Sequence, residues 1–462
     1  MAARFMDLDR QTPMLLPCDL REWVPEDHIV HLILDAVEQI PTAHFRVNDR
    51  GTGSPQYPPC MMLALLIYCY ATGRFGSRGI EAATHSDVAV RYLCANLHPD
   101  HSSICEFRVA NEAAFRAAFV SVLQLARELR LTRVGTVSVD GTKIQANASK
   151  HAAVSYQRAG EMIAVLELEV QELVARAAQA DAQEARETLD LPAELARREK
   201  RVAALQQARQ VIEARAKELA AAQQAEYQAK QARREAQREA GQKPRGAEPV
   251  PPSETPDPKA QYNFTDPESR IMKAGNGAHF EQAYNAQAAV DEQMLIIGER
   301  VSTAPNDKEQ LAPTVAVISP VVAREVKAIL IDSGFYSEAA VRSVEQTPAG
   351  GPTGITVYAA VEKHSHHKTV ADLLPQPEPA VPGPEASAKE VMAHRLKTAA
   401  GKALYKLRKQ TVEPVFGIIK EVMGFRRFLL RGRAKVGREW TLVCVSYNLK
   451  RLFTLKNLAV AG

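Results

Sequence analysis

Residues 136–147 read TVSVDGTKIQAN, an alternating, β-branched run that reaches a carboxylate, Asp140, and then at once a glycine, Gly141. The alternation is that of a half-buried strand, and Asp-Gly is a strong two-residue hairpin signal. Residues 136–139 and 143–145 are therefore expected as the arms of a tight turn. A strand that reads as core and stops on an acid has a second reading as well, a reactive group held at a sheet edge.

The pattern recurs once. Residues 325–331, EVKAILI, form a largely apolar run expected as a buried strand, and it ends on Asp332 with Gly334 two positions on. In open α/β sheets reactive groups gather at strand ends, where the sheet fixes them and loops admit the substrate. Inert turns at both positions are the competing reading.

A third acid, Glu413, lies in YKLRKQTVEPVFGIIK at 405–420. Glu413 and Lys420 are seven apart and would share one face of a continuous helix, with Phe416 between them. Pro414 disfavours helical geometry in the residue before it, which predicts a helix that starts or kinks at Glu413. Three converging carboxylates cannot all stay ionised without a cation. Hard oxygen donors, with no histidine or thiolate at matching positions, favour magnesium or manganese over zinc. Two such ions about 4 Å apart suit in-line displacement at a phosphodiester.

Charge is unevenly spread. Of 58 Lys and Arg and 54 acids, residues 401–462 hold 14 basic and 3 acidic ones, so the tail is +11 and the remaining 400 residues −7. A basic module on an acidic chain suggests a polyanion partner, with a solvated basic tail as the alternative. Arg408, Lys409, Lys420, Arg426, Arg427, Arg431 and Arg433 are the candidate phosphate contacts, the last four beside Phe425 and Phe428; Arg270 and Lys273 in SRIMK are two more.

The six cysteines, Cys18, Cys60, Cys69, Cys94, Cys105 and Cys444, form no CxxC pair or zinc spacing and read as reduced. The apolar run 61–70 is short of the roughly 20 residues needed to span a bilayer, and no secretory signal is visible at 1–10. A cytoplasmic, nucleoid-associated protein with no membrane partner is expected. The histidines His364, His366 and His367 lack a fourth ligand in view, which argues against a zinc site.

Length alone calls for several structural units. Residues 1–132 read as a helical domain, with a helix ending at Gly73 and Ser103–Glu106 as a capping box opening another helix toward Leu131. In 156–243 apolar positions recur as Ile163, Leu166, Val170 and Leu173, then Leu195, Val202, Leu205, Ile212 and Leu219, broken by Pro192. That spacing predicts two long, coiled-coil-like helices that fold back as a hairpin or pair with another chain. Arg198 and Arg209 interrupt the second seam, and a solvated spacer is the alternative. Residues 244–258 are a proline-rich linker. Beyond it a hairpin is expected around 291–293, a helix over 306–322 with Asn306 and Glu309 as cap partners, a helix from Ser337 and a strand at 355–361.

The segments VDGTKIQANASKH, YNFTDPESRIMK, YNAQAAVD, LIDSGFYSE and YKLRKQTVEPVFGIIKEVMGFRRFLLRG resemble insertion-sequence DDE transposases of bacteria, the insertion-sequence 1182 type in particular. YPPCMMLALLIYCYATGRFGSRGIEAA and HPDHSSICEFR are similar to the family's helical N-terminal domain. The resemblance implies an α/β ribonuclease-H-like core, a mixed sheet with flanking helices, at 133–155 and 259–462. Residues 156–243 are then a helical insertion, and 1–132 a DNA-binding domain. It also implies that Asp140, Asp332 and Glu413 hold two Mg2+ or Mn2+ ions, that transposon ends are cleaved, and that the 3′ hydroxyl attacks target DNA. Double-stranded DNA, as terminal inverted repeats and target, would be the partner, and a homodimer the acting form.

Related transposases carry Tyr-x2-Arg-x3-Glu-x6-Lys around the third acid. Here Glu413-x6-Lys420 fits, but four residues separate Arg408 from Glu413, and Lys409 stands where the arginine is expected. Under the resemblance, Asp140 bridges both ions and Gly141 supports it. Two other functions use the same residues: a metal-dependent ribonuclease-H-like nuclease without strand transfer, and a DNA-binding or coiled-coil scaffold with inert acids.

Overall fold

The computed structural model describes residues 19–48, 55–183, 190–244, 246–274, 277, 279–361, 378–383 and 385–461. Cys18, His364, His366 and His367 lie outside the described residues. The chain forms two compact units, one from Met1–Ile144 and Tyr284–Gly462, the other from Gln145–Ala283. In chain order the helices before the first strand are α1 Ile29–Glu38, α2 Pro59–Ala71, α3 Ser77–Ser86, α4 Val88–Leu93, α5 His101–Ala110 and α6 Glu112–Glu128. Then come β1 Thr136–Gln145, β2 Ala153–Ser155, α7 Tyr156–Gln183, α8 Leu191–Glu239, β3 Gln261–Asn263, β4 Arg270–Lys273, β5 Phe280–Val290 and β6 Ile296–Ser302. The rest are α9 Leu311–Val315, β7 Ala328–Ile331, α10 Glu338–Glu345, β8 Thr356–Ala359, α11 Ala388–Lys397, α12 Ala399–Gly417 and α13 Arg433–Ala461.

In the larger unit β7 lies between β1 and β8, parallel to both, and β5 flanks β1 on the other side and pairs antiparallel with β6. This mixed sheet with helices around it has the ribonuclease-H-like character expected. Thr136 pairs with Ala328 and Ser138 with Leu330. Continuing that register by two residues sets Asp140 opposite Asp332.

The core behind the sheet is built on α2, apolar all round, and on the middle of α13, where residues 439–449 are all buried. Trp440, Leu442, Val443, Cys444, Val445 and Leu449 are fully buried, as are Leu63, Leu65, Leu66 and Ile67. Polar groups on α13 satisfy backbone that the sheet leaves open. The Asn448 side chain accepts from Ile296 N at 2.9 Å and donates to Ile296 O at 2.7 Å. Glu439, fully buried, accepts from Tyr70 Oη at 3.0 Å and from Leu429 N and Leu430 N at 2.9 and 3.0 Å.

Several local expectations need correction. Asp140-Gly141 makes no turn: β1 runs straight through it to Gln145. The helix expected to open at Ser103 is opened by Asp100, whose Oδ1 accepts from Ser102 N and Ser103 N, and Asn111 divides it from α6. A capping side chain one residue outside the helix wins because it meets the first free N–H groups. Residues 306–322 are not one helix; only Leu311–Val315 is α-helical, with Pro313 and Pro320 in the stretch and Asp307 held by β5 side chains. The strand expected over 325–331 is Ala328–Ile331, because Ala323–Glu325 forms a 3-10 turn. Helix α12 neither starts nor ends at Glu413; it carries Pro414 inside, and the departure from α geometry comes later, as a π turn over Ile418–Val422. The hairpin around 291–293 is present, as are the helix capped by Ser337 and the strand β8.

In the smaller unit β2 pairs antiparallel with β3, β4 pairs with residues 280–283 of β5, and α7 folds back on α8. Ile163, Leu205 and Ile212 form its core with Ala159, Ala208 and Tyr262, while Leu166 and Val202 pack against them. Arg198 bridges the helices to Glu169 at 2.7 Å, and Arg209 stacks over the Tyr156 ring at 4.6 Å. The arginines that interrupt the seam thus become cross-helix clips. Leu219 is 58% exposed, so the packed seam stops short of it. Pro192 stands in the first turn of α8, where its missing N–H costs nothing.

Candidate active site at the ends of the parallel strands

Since β1 does not turn at Asp140, Gly141 has another purpose. A Cβ on Gly141 would lie 2.1 Å from Gln287 Nε2, 2.7 Å from Asp307 Oδ1 and 2.8 Å from Asn285 Oδ1. Only a residue without a side chain admits these polar groups against the strand. Gly334 acts likewise beside Asp332: its N–H donates to Asp332 Oδ1, and a Cβ there would meet that oxygen at 2.9 Å.

Asp140, Asp332 and Glu413 converge, and one side chain joins them. Arg408 Nη2 is 2.8 Å from Asp140 Oδ2 and 3.8 Å from Asp332 Oδ2, and Arg408 Nη1 is 3.1 Å from Glu413 Oε1. The guanidinium is nearly buried, with its side chain 11% exposed, against 16% for Asp140, 42% for Asp332 and 48% for Glu413. The site therefore opens from a closed floor at Asp140 toward an accessible rim at Glu413. Burial pushes the Asp140 carboxyl up to about 6, against the pull of Arg408 and of the Gly141 N–H; Asp332 and Asp307 push the same way as burial.

Three further contacts fix α12 and its π turn over the strands. Tyr405 Oη donates to Ile331 O at 3.0 Å, Thr411 Oγ1 shares a 2.7 Å hydrogen bond with Ser138 Oγ, and Lys420 Nζ donates to Thr142 Oγ1. Arg408, expected as a phosphate contact, faces inward, whereas Lys409 is exposed. The one-residue offset in the tail motif has this physical form: the position next in sequence points to solvent.

Gly141 and Lys143, alternate residues of β1, stand on a second polar group that sequence reasoning missed. Asp307 Oδ1 accepts from Asn285 Nδ2 at 2.6 Å and Gln287 Nε2 at 2.7 Å, and lies 3.7 Å from Lys143 Nζ. Asn285 and Gln287 are fully buried. Burial pulls the Lys143 ammonium down, with Asp307 and Asp140 opposing. The available signal was polar residues at alternate positions of YNAQ within a largely apolar run, 283–290, that is buried throughout.

The remaining basic candidates divide. Arg426, Arg427, Arg431 and Arg433 are exposed, over a buried aromatic cluster in which Phe425 and Phe428 stand 5.4 Å apart. Arg426 also meets Glu421 and donates to Lys420 O. Arg270 and Lys273 belong to the smaller unit, where Arg270 Nη1 donates to the carbonyls of Pro267, Glu268 and Ser269.

The donor set, three carboxylates from two strand ends and a helix, suits a hard divalent ion. Among the described residues no group of three or more His, Cys, Asp or Glu stands close enough to hold one, and the Arg408 guanidinium lies between Asp140 and Glu413. Also among them, no helix is long and apolar enough to cross a membrane.

Two family models match the chain. One, described as a transposase DDE domain, covers residues 382–453, and the other, a transposase domain, covers 18–110. The first spans Arg408, Glu413 and the exposed arginines; Asp140 and Asp332 lie outside both. No curated protein and no solved structure matches the chain. The strand-end aspartates share one guanidinium with a glutamate inside the matched DDE domain, and the helical transposase domain precedes them in the chain; over these two segments the chain is similar to transposases, and the matches support an insertion-sequence DDE transposase.

Proposed function

We propose that this chain cleaves the ends of its insertion sequence and joins the freed 3′ hydroxyl to target DNA, with Asp140, Asp332 and Glu413 as the ligands of two divalent ions. The observation that carries this reading is the meeting of those three carboxylates on one guanidinium. Inert acids have no need to share a single cation from three separate elements. Bound there, magnesium or manganese would activate a nucleophile and neutralise the leaving oxygen.

The chain's own groups supply the rest. Paired parallel strands hold Asp140 and Asp332 rigidly, and the hydrogen bonds of Tyr405 and Thr411 set the height of Glu413 above them. The buried floor at Asp140 limits water, while the open rim admits a strand of DNA. Lys409, Lys420, Arg426, Arg427, Arg431 and Arg433 are suited to phosphates, giving salt-dependent affinity without sequence information. In this reading residues 1–132 contribute DNA binding, 133–155 with 259–462 the catalytic domain, and 156–243 a helical insertion reached through the linker 244–258. Arg270 and Lys273 are secondary DNA contacts. The acting form is a homodimer on double-stranded DNA in the cytoplasm, at the nucleoid.

The test is strand cleavage and joining on DNA carrying the inverted repeats that flank the reading frame, with Mg2+ or Mn2+. Asp140→Asn, Asp332→Asn and Glu413→Gln are each expected to abolish both reactions. Cleavage without joined product would instead favour a nuclease, and full activity in all three variants would refute the assignment.

A further inference from the structure

Arg408, expected as a phosphate contact, is the charge on which the three acids meet. It sits on the inner side of α12, 9% exposed, with both terminal nitrogens on carboxylates and its Nε without a hydrogen-bond partner. Of the neighbouring lysines, Lys143 lies 3.7 Å from Asp307 and Lys420 donates to Thr142. A guanidinium does not lose its proton under ordinary conditions, so this charge can leave the acids only by moving.

Charge and space both set it against divalent ions. One guanidinium meets all three carboxylates, with only the Lys143 ammonium adding to it at Asp140, an incomplete compensation at the buried floor of the site. A magnesium or manganese ion needs carboxylate oxygens at about 2 Å. An ion lying between the acids would need the space the guanidinium now fills, since Arg408 Nη2 stands 2.8 Å from Asp140 Oδ2 and Nη1 3.1 Å from Glu413 Oε1.

We propose that Arg408 is the resident counter-cation of the carboxylate triad, a guanidinium that divalent ions displace, so that ion binding and Arg408 release form one coupled step. This rests on the three acids being the ion ligands. It makes Arg408 a positioning residue: it keeps the acids gathered and ionised until ions replace it, and once released it is free to meet a phosphate of bound DNA.

Coupling of this kind is reciprocal. Calorimetric titration of the full chain with Mn2+, after chelation, should show Arg408→Gln binding about tenfold or more tighter than wild type, with Asp140→Asn abolishing the binding. Melting supplies a second readout. Arg408→Gln should melt well below wild type in chelator, and saturating Mn2+ should close most of that gap. Arg408→Lys, which keeps the charge but loses the fork, should shift both readouts the same way by less, and it carries the test should Arg408→Gln fail to fold. Weaker or unchanged Mn2+ binding in the Arg408 variants, while it still depends on Asp140, would overturn the counter-cation role and leave the ion site standing. Mn2+ binding that is absent, or indifferent to Asp140→Asn, would overturn the ion site and this proposal with it.

Discussion

Gly141 and Gln287 approach so closely that the smallest side chain cannot be added between them: a Cβ on Gly141 would lie 2.1 Å from Gln287 Nε2. Gly141 sits in an extended strand and not at a positive φ, so its cost to replace is steric. In an unobstructed strand alanine would be the better residue. Here Gly141→Ala is expected to lower stability by about 1–3 kcal/mol, because the buried side chains of Gln287 and Asn285 would have to shift out of their hydrogen bonds to Asp307. Urea denaturation checks this, and unchanged or raised stability would show that the polar group beside β1 can rearrange freely.

Thr411 and Ser138 join α12 to β1 through a 2.7 Å hydrogen bond between residues exposed by only 3% and 2%. Thr411→Val keeps the shape and removes the hydroxyl, leaving Ser138 Oγ without this partner. A loss of about 1–3 kcal/mol in equilibrium unfolding is expected. Double substitution with Ser138→Ala should recover part of it, because neither partner is then left unpaired.

Asn448 caps both the N–H and the carbonyl of Ile296 from a fully buried position on α13. Asn448→Leu strands two backbone groups in an apolar core and should cost at least about 2 kcal/mol. Amide exchange at Ile296 should accelerate more than exchange at Ala286 on the neighbouring strand. Equal acceleration would point to general loosening instead.

Burial pushes Glu299 up to about 7 from 4.5, with the Thr441 hydroxyl pulling against it. Its folded form holds a proton that the unfolded chain has already released across that window. Its contribution is therefore fully present below pH 4.5 and is lost as pH rises through about 7. The melting temperature of wild type relative to Glu299→Gln should fall over this range and level off above it. A difference that rises with pH would reverse the sign of the shift.

Legibility in the sequence followed the reach of each interaction. Period-two and apolar runs disclosed β1, β7 and the hairpin of β5 and β6, because strand burial repeats locally. The seam of α7 and α8 was visible from Ile163 to Ile212 for the same reason. Asp-Gly at 140–141 misled, since the glycine answers to Asn285, Gln287 and Asp307, far away in sequence. The inward turn of Arg408 was likewise hidden, because one residue along a helix changes the face by about 100°. The three acids could be named from strand ends and spacing, but their shared guanidinium belongs to packing alone.

The most direct test of the central claim separates DNA binding from strand breakage. Asp140→Asn, Asp332→Asn and Glu413→Gln should each shift inverted-repeat DNA on a gel as wild type does, while yielding no cleaved or joined strand with Mn2+. Strand breakage or joining by any of the three at a rate near that of wild type would contradict the account.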